Sequence, residues 1–165
     1  MQTFTTFYES PLGRIELTAG EHALLALHFC DAQKISAPNR SATEINDILA
    51  TTMAELDLYF VGELQMFSVP TYPQGTEFQQ TVWRELTHIP YGKTIAYNEL
   101  AQRLGNPKVI RAAASANGKN PVSILIPCHR VIGSDGSLVG YGGDLWRKKR
   151  LLELENANFS PKTLF

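Results

Sequence analysis

Cysteine is scarce in this chain of 165 residues: there are two, Cys30 and Cys128. Two cysteines do not make a disulfide framework, which points to a reducing, cytoplasmic setting that keeps a thiol free. Long apolar runs are also missing. None approaches the length needed to cross a bilayer, so a membrane role is not expected. The opening residues Met1-Gln2-Thr3-Phe4 show no basic stretch followed by an apolar one, hence no secretion signal is read. There is no internal repeat and no low-complexity tract. Net charge is almost absent, at −1, but its distribution is lopsided. Residues 1–80 carry three Lys/Arg against ten Asp/Glu, a net −7, while residues 81–165 carry twelve against six, a net +6. A basic half suits a polyanion such as nucleic acid; two lobes that attract each other would explain the same pattern.

Secondary-structure signals divide the chain at the same place. Residues 3–8 are rich in β-branched and aromatic residues, 14–18 alternate polar and apolar, and 23–29 follow a second turn signal; turn chemistry at Ser10-Pro11-Leu12-Gly13 and Gly20-Glu21 separates the three, which predicts an antiparallel meander. A loop is expected over 31–42, a helix over 43–60 and a returning strand over 65–69. Thr71-Tyr72-Pro73-Gln74-Gly75 holds two breakers and marks a boundary, giving domains 1–73 and 74–165. The second half reads as helical. Thr76-Glu77-Phe78-Gln79 is a capping-box pattern opening a helix to about residue 87. A short helix follows over 97–104, ended by Gly105. A third runs over 107–116, with Asn106 as cap and Pro107 at its first position. Helix, tight turn and helix make a helix-turn-helix outline. The third helix carries four alanines and Ser115, with Arg111 its one long side chain. Small residues suit either tight packing in a core or close approach to a nucleic-acid groove.

The chemistry concentrates at Ile126-Pro127-Cys128-His129-Arg130-Val131. A thiolate is the useful form of cysteine, and a neighbouring imidazole is the usual means of reaching it near neutral pH. A cysteine on its own is usually a small buried hydrophobe, the reading kept for Cys30. Arg147-Lys148-Lys149-Arg150 opens a last helix whose basic face suits solvent or phosphate. His22, His28 and His88 are scattered and suggest no metal site.

Residues 76–155 resemble the O6-alkylguanine-DNA alkyltransferases. The motifs are the Pro-Cys-His-Arg core, Asn117-Gly118-Lys119-Asn120-Pro121 before it, the helix at Tyr97, Arg111, and Gly140-Tyr141-Gly142-Gly143. Strand-strand-strand-helix in the first half fits the family's N-terminal domain. The closest type is the stand-alone bacterial one, without a cysteine-rich zinc-binding extension. The resemblance implies an α+β fold: a small ribonuclease-H-like sheet with a helix, then a winged helix-turn-helix domain. It implies suicide repair, in which O6-alkylguanine, with O4-alkylthymine as a further substrate, is flipped out of the duplex and its alkyl group kept on Cys128 as a thioether. His129 would take the thiol proton through a water, Glu155 would orient His129, Asn120 would hold the active turn, and Tyr97 would supply a proton to the leaving base. Arg111 would fill the vacated stack from the minor groove, with Lys108, Ala112, Ala113, Ser115 and Arg130 also at the DNA. Tyr141, Gly142, Gly143 and Lys148 would shape the pocket. No cofactor or metal is implied. The partner would be alkylated double-stranded DNA, met by a protein monomeric in solution, with cooperative assembly on DNA left open.

Three positions depart from the family pattern. Ala96 stands where serine, a good helix cap, is usual. Arg-Ala-Ala-Ala-Ser over 111–115 replaces the more usual Arg-Ala-Val-Gly-Ala. Asp144 stands where a third glycine is common. Two rivals remain. A damage-binding relative would lack the cysteine. A turnover Cys-His hydrolase would need an oxyanion hole and usually a histidine distant in sequence.

Overall fold

The computed structural model describes residues 2–32 and 41–157. Its first three strands, β1 (Phe4–Ser10), β2 (Gly13–Ala19) and β3 (Leu24–Phe29), form the expected meander in the order β1-β2-β3, all antiparallel. Ile15 and Leu17 of β2 and Leu24, Leu27 and Phe29 of β3 are fully or almost fully buried. Burying side chains of this size contributes about 1.5–3 kcal/mol each relative to leaving them in water. Helix α1 (Asp47–Phe60) covers the sheet with Leu49, Thr52, Leu56 and Tyr59, spaced three or four apart as one helical face requires.

The helix begins four residues later than the periodicity predicts. Thr43 is held instead along β1, its N–H donating to Thr5 O at 2.9 Å while its hydroxyl accepts from Thr5 N at 2.9 Å. Asn46 is the cap, accepting from Leu49 N at 3.0 Å. Of the loop expected over 31–42, residues 33–40 lie outside the described residues. The strand expected over 65–69 does not form. Glu55 takes the N–H of Ser68 into its carboxylate at 3.0 Å, and the chain returns to the sheet only at Thr71. There a single parallel bridge to Leu24 forms, with Leu24 N donating to Pro70 O and Tyr72 N to Leu24 O.

The second half is built on α2 (Glu77–Leu86), α3 (Tyr97–Arg103), α4 (Ile110–Gly118) and α5 (Leu145–Leu154), with the two-residue strands β4 (Ile95–Ala96) and β5 (Val131–Ile132) paired in parallel. The capping box is present in full: Thr76 accepts from Gln79 N, and the Gln79 side chain accepts from Thr76 N. Pro107 opens a short 3-10 turn (Pro107–Val109) rather than the α-helix itself, which starts at Ile110. Asn106 caps that turn through Lys108 N at 2.9 Å. Ala96 precedes α3 with no side-chain cap, and the helix still begins at Tyr97 because β4 fixes the preceding backbone against β5.

The two halves share one hydrophobic core, which runs from Ile15, Leu17 and Leu27 through Tyr59 to Trp83, Ile126 and Val131. The edge of β3 joins them directly: Leu27 N donates to Pro121 O at 2.9 Å and Ser123 N to Leu27 O at 3.1 Å. Arg147 is a second tie. It is 1% exposed, and its guanidinium lies 4.4 Å from the ring centres of both Phe29 and Trp146. Its Nε donates to Leu12 O at 2.8 Å and its Nη1 to Gly143 O at 3.3 Å, while Asp31 pairs with Nη2. The expected basic face at the start of α5 is therefore half interior, since Arg147 and Lys148 are buried and Arg150 is exposed. Cys30 is half-buried rather than sealed in the core.

Asp144 occupies a backbone conformation (φ 75°, ψ 147°) that is close to a glycine-only region. Its carbonyl starts α5 by accepting from Arg147 N at 3.1 Å and Lys148 N at 3.2 Å, so the chain cannot relax there without releasing the helix. Asp144→Gly is expected to stabilise the fold by about 1 kcal/mol, a rise in Tm of roughly 2–4 °C by thermal unfolding. Asp144→Ala keeps the Cβ and should give no gain. Equal Tm values for the two variants would show that the strain is not borne at this position.

Candidate active site around Cys128

Cys128 opens a 3-10 turn (Cys128–Arg130) that feeds directly into β5. It is 3% exposed. The approach to it is a tight turn over 121–127, pinned at both ends. Asn120 Nδ2 donates to Ile126 O at 2.7 Å, and Asn120 Oδ1 accepts from Val122 N at 3.0 Å. Between these clamps Ile124 takes φ +73°, an uncommon and strained conformation for a β-branched residue. Cys128 O accepts from Asn117 Nδ2 at 3.3 Å, which ties the turn to α4.

His129 is fully buried, and its Nε2 lies 2.8 Å from Glu155 Oε2. Glu155 caps the end of α5 and is 1% exposed. Burial works to raise its carboxyl, but His129 and Arg130 outweigh burial and hold it well below the usual carboxylate range. An ionised carboxylate can only accept, so Nε2 carries a hydrogen, and in the neutral ring Nδ1 is bare. Nδ1 is buried and has no hydrogen-bond partner among the described residues. Burial lowers His129, with Glu155 opposing, and pushes the Cys128 thiol up against the pull of Asn120 and Lys148. Burial thus favours the neutral thiol and the neutral imidazole, while the donors on Glu155 favour the ionised acid.

Arg130, expected among the DNA contacts, has another post. It is 8% exposed; its Nε and Nη2 donate to the two Glu155 oxygens at 2.9 and 3.1 Å, and its Nη1 donates to Ile89 O at 2.7 Å. A guanidinium spent on a buried carboxylate and a carbonyl is not presented to a phosphate. Tyr59 also reaches this carboxylate, donating to Oε2 at 2.6 Å from α1. No sequence signal marks Tyr59, because the end of an apolar helix face is the ordinary place for an aromatic residue.

The far wall comes from α3, the loop after β5, and α5. Tyr97 Oη donates to Val139 O at 3.0 Å. Lys148 Nζ donates to Val131 O, Val139 O and Gly140 O at 2.6, 2.8 and 3.1 Å and sits 5.7 Å from the centre of the Tyr97 ring. Burial brings Lys148 down to about 8. Burial also pushes Tyr97 up to about 12 and Tyr141 well above the usual phenol range, and an ionised Cys128 would add to both. Tyr97 and Lys148 thus meet at the Val139 carbonyl and the Tyr97 ring. Gly140 takes φ +63°, and a Cβ there would stand 3.3 Å from Tyr97 Oη; a Cβ on Gly143 would lie 2.6 Å from the Tyr141 ring. Gly142 is half-buried between them.

On the outer face, Lys108, Arg111, Ala112 and Ser115 are exposed along the Pro107 turn and α4. Ala113, expected with them, is fully buried. It faces inward with Ala116, whose carbonyl accepts from Trp83 Nε1 at 2.8 Å. The small residues of this helix serve both purposes at once, one face packed and one open. Among the described residues no three His, Cys, Asp or Glu side chains gather as metal ligands, and no helix is long and apolar enough to cross a membrane.

Two family models cover most of the chain. The 6-O-methylguanine DNA methyltransferase ribonuclease-like domain matches residues 3–73, and the DNA binding domain of the same family matches residues 77–157. A methylated-DNA–protein-cysteine methyltransferase of Methanosarcina acetivorans is 43% identical over 155 residues, covering 93% of this chain and 99% of the relative. One from Haemophilus influenzae is 38% identical over 160 residues, covering 96% and 89%. Among solved structures, the Mycobacterium tuberculosis OGT in complex with DNA superposes with a TM-score of 0.80 at 40% identity, covering 94% of this chain and 93% of that one. With the buried Cys-His-Glu constellation and a DNA-binding half in place, the chain belongs to the 6-O-methylguanine DNA methyltransferase family.

Proposed function

We propose that this chain repairs O6-alkylguanine in double-stranded DNA by one irreversible transfer of the alkyl group to Cys128. The observation that carries this reading is the bare, buried His129 Nδ1, backed by an ionised Glu155, on the residue next to the thiol. The thiol proton passes to Nδ1 through a water, and Glu155 stabilises the imidazolium that forms. The sulfur then attacks the alkyl carbon in line. The S–C bond forms as the C–O6 bond breaks, and the electron pair leaves with the guanine. Tyr97 keeps its proton through neutral pH and donates it to the departing base; the proton lost from the thiol makes up the difference. A thioether is not hydrolysed, so the site is used once. No carbonyl is attacked and no oxyanion hole is required, which separates this chemistry from that of a Cys-His hydrolase. Alkyl groups on O4 of thymine present the same bond to the same sulfur.

The base must leave the stack to reach a nucleophile this deeply placed, at a cost of a few kcal/mol. Arg111 is exposed on α4 and enters from the minor groove to fill the gap. Ala112 and Ser115 let the helix lie close, and Lys108 pairs with phosphate. Asn120 holds the turn, while Tyr141, Gly142, Gly143 and Lys148 bound the pocket. The protein acts as a monomer in the reducing cytoplasm, where Cys128 stays free.

Incubation with an oligonucleotide bearing O6-methylguanine should add one methyl group per chain by intact mass, located on Cys128, and Cys128→Ser should gain none. Turnover without a persistent adduct would instead favour a hydrolase. Arg111→Ala should slow repair in duplex DNA about tenfold or more, because flipping is uncompensated, while changing transfer from the free base O6-benzylguanine less than about twofold. Equal losses on both substrates would remove Arg111 from that role.

A further inference from the structure

Glu155 is reached from both halves of the molecule. Arg130 and His129 approach it from the 3-10 turn, and Tyr59 approaches from α1 in the N-terminal half. The Tyr59 bond, at 2.6 Å, is the shortest of the four. It ends on Oε2, the oxygen that also accepts from His129 Nε2 at 2.8 Å and from Arg130 Nη2 at 3.1 Å. Oε1 accepts from Arg130 Nε alone among the described residues. Three donors on one oxygen share its electron density, so each weakens the others.

We propose that Tyr59 is a positioning residue for alkyl transfer, fixing Glu155 Oε2 and restraining its hold on His129. The proposal rests on the assignment of Cys128, His129 and Glu155 to the transfer. The geometry suits a fixed donor. Tyr59 is 1% exposed, and its ring is packed against Phe67 at 5.4 Å and edge-on to Tyr91 at 6.5 Å between centres. Burial and the charge of Glu155 raise its phenol well above the usual range, so it always donates. The consequence is chemical. A carboxylate bound by His129 alone would draw the ring proton strongly and make Nδ1 a stronger base. A shared carboxylate keeps Nδ1 weakly basic, and unprotonated, at neutral pH. The N-terminal half, which lacks any residue of the reacting set, thereby completes the acid's environment.

A purely structural Tyr59, stapling α1 to the end of α5, would affect stability alone, so the decisive readout is a pH profile. The other titratable or charged groups facing His129 and Glu155 are Cys128, Arg130, Lys148, Tyr91 and Tyr141. All are unchanged in Tyr59→Phe, which keeps the ring and removes only the hydroxyl. The rate of adduct formation on Cys128 from O6-benzylguanine should then have its acid limb moved up by about half a pH unit. The plateau should fall severalfold, because the carboxylate is no longer fixed. Site-specific 3-fluorotyrosine at position 59 is a stronger donor in an unaltered fold and should move the limb down. Leu56→Ala, at a fully buried position on the same helix, should lower Tm and leave the limb in place. Unmoved acid limbs in both Tyr59 variants would overturn the proposal while leaving transfer to Cys128 standing. Failure of the wild-type chain to form any adduct would overturn both.

Discussion

A carboxylate with almost no exposed surface accepts four hydrogen bonds near the end of this chain, and the chemistry proposed for Cys128 depends on it. Isolated, Glu155 would take up a proton rather than stay charged in so dry a place. Arg130 supplies a full opposite charge in fork geometry across both oxygens, and His129 and Tyr59 add two further donors to Oε2. With the acid ionised, Nε2 of His129 carries a hydrogen and the neutral ring leaves Nδ1 free, the nitrogen that serves as base in the proposed transfer. Taking Arg130 away would leave a buried charge uncompensated; the energetic penalty for breaking such pairs is about 3–5 kcal/mol. The arginine of the Pro-Cys-His-Arg motif is thus part of the acid's support.

The same logic places the N-terminal half. Its sheet carries none of the reacting groups, yet the edge of β3 holds both the start of the boundary segment at Thr71 and the start of the turn before Cys128. Arg147 joins the β1–β2 turn to the loop that carries Tyr141. Lys148, its neighbour, gathers three carbonyls from β5 and that loop. Two adjacent basic residues on α5 therefore organise that loop from inside. The strained conformations at Ile124 and Asp144 flank this region on either side, held by Asn120 in one case and by the start of α5 in the other.

Much of this was legible in the sequence, for reasons that can be stated. The meander, the capping box at Thr76 and the helices of the second half follow from local rules, in which neighbouring residues decide the outcome. The expected strand over 65–69 failed because Glu55, distant in sequence, captures Ser68 N. The expected start of α1 failed because Thr43 is held by β1. At the site, the Cys128-His129 pair and Asn120 lie in one recognisable stretch. Arg130 was misassigned because an arginine near a basic surface reads as a phosphate contact until its burial is known. Ala113 was misassigned because an alanine carries no mark of which helix face it takes. Tyr59 was invisible: ninety-six positions separate it from Glu155, and only the fold, which brings the end of α1 to the end of α5, lets them meet.

The account is tested most directly by the protonation state of His129 in the unreacted protein. Nitrogen-15 NMR of the imidazole at neutral pH should show a neutral ring with hydrogen on Nε2 and a bare Nδ1. A ring protonated on Nδ1, as the other tautomer or as imidazolium, would contradict it, because Cys128 would then have no base.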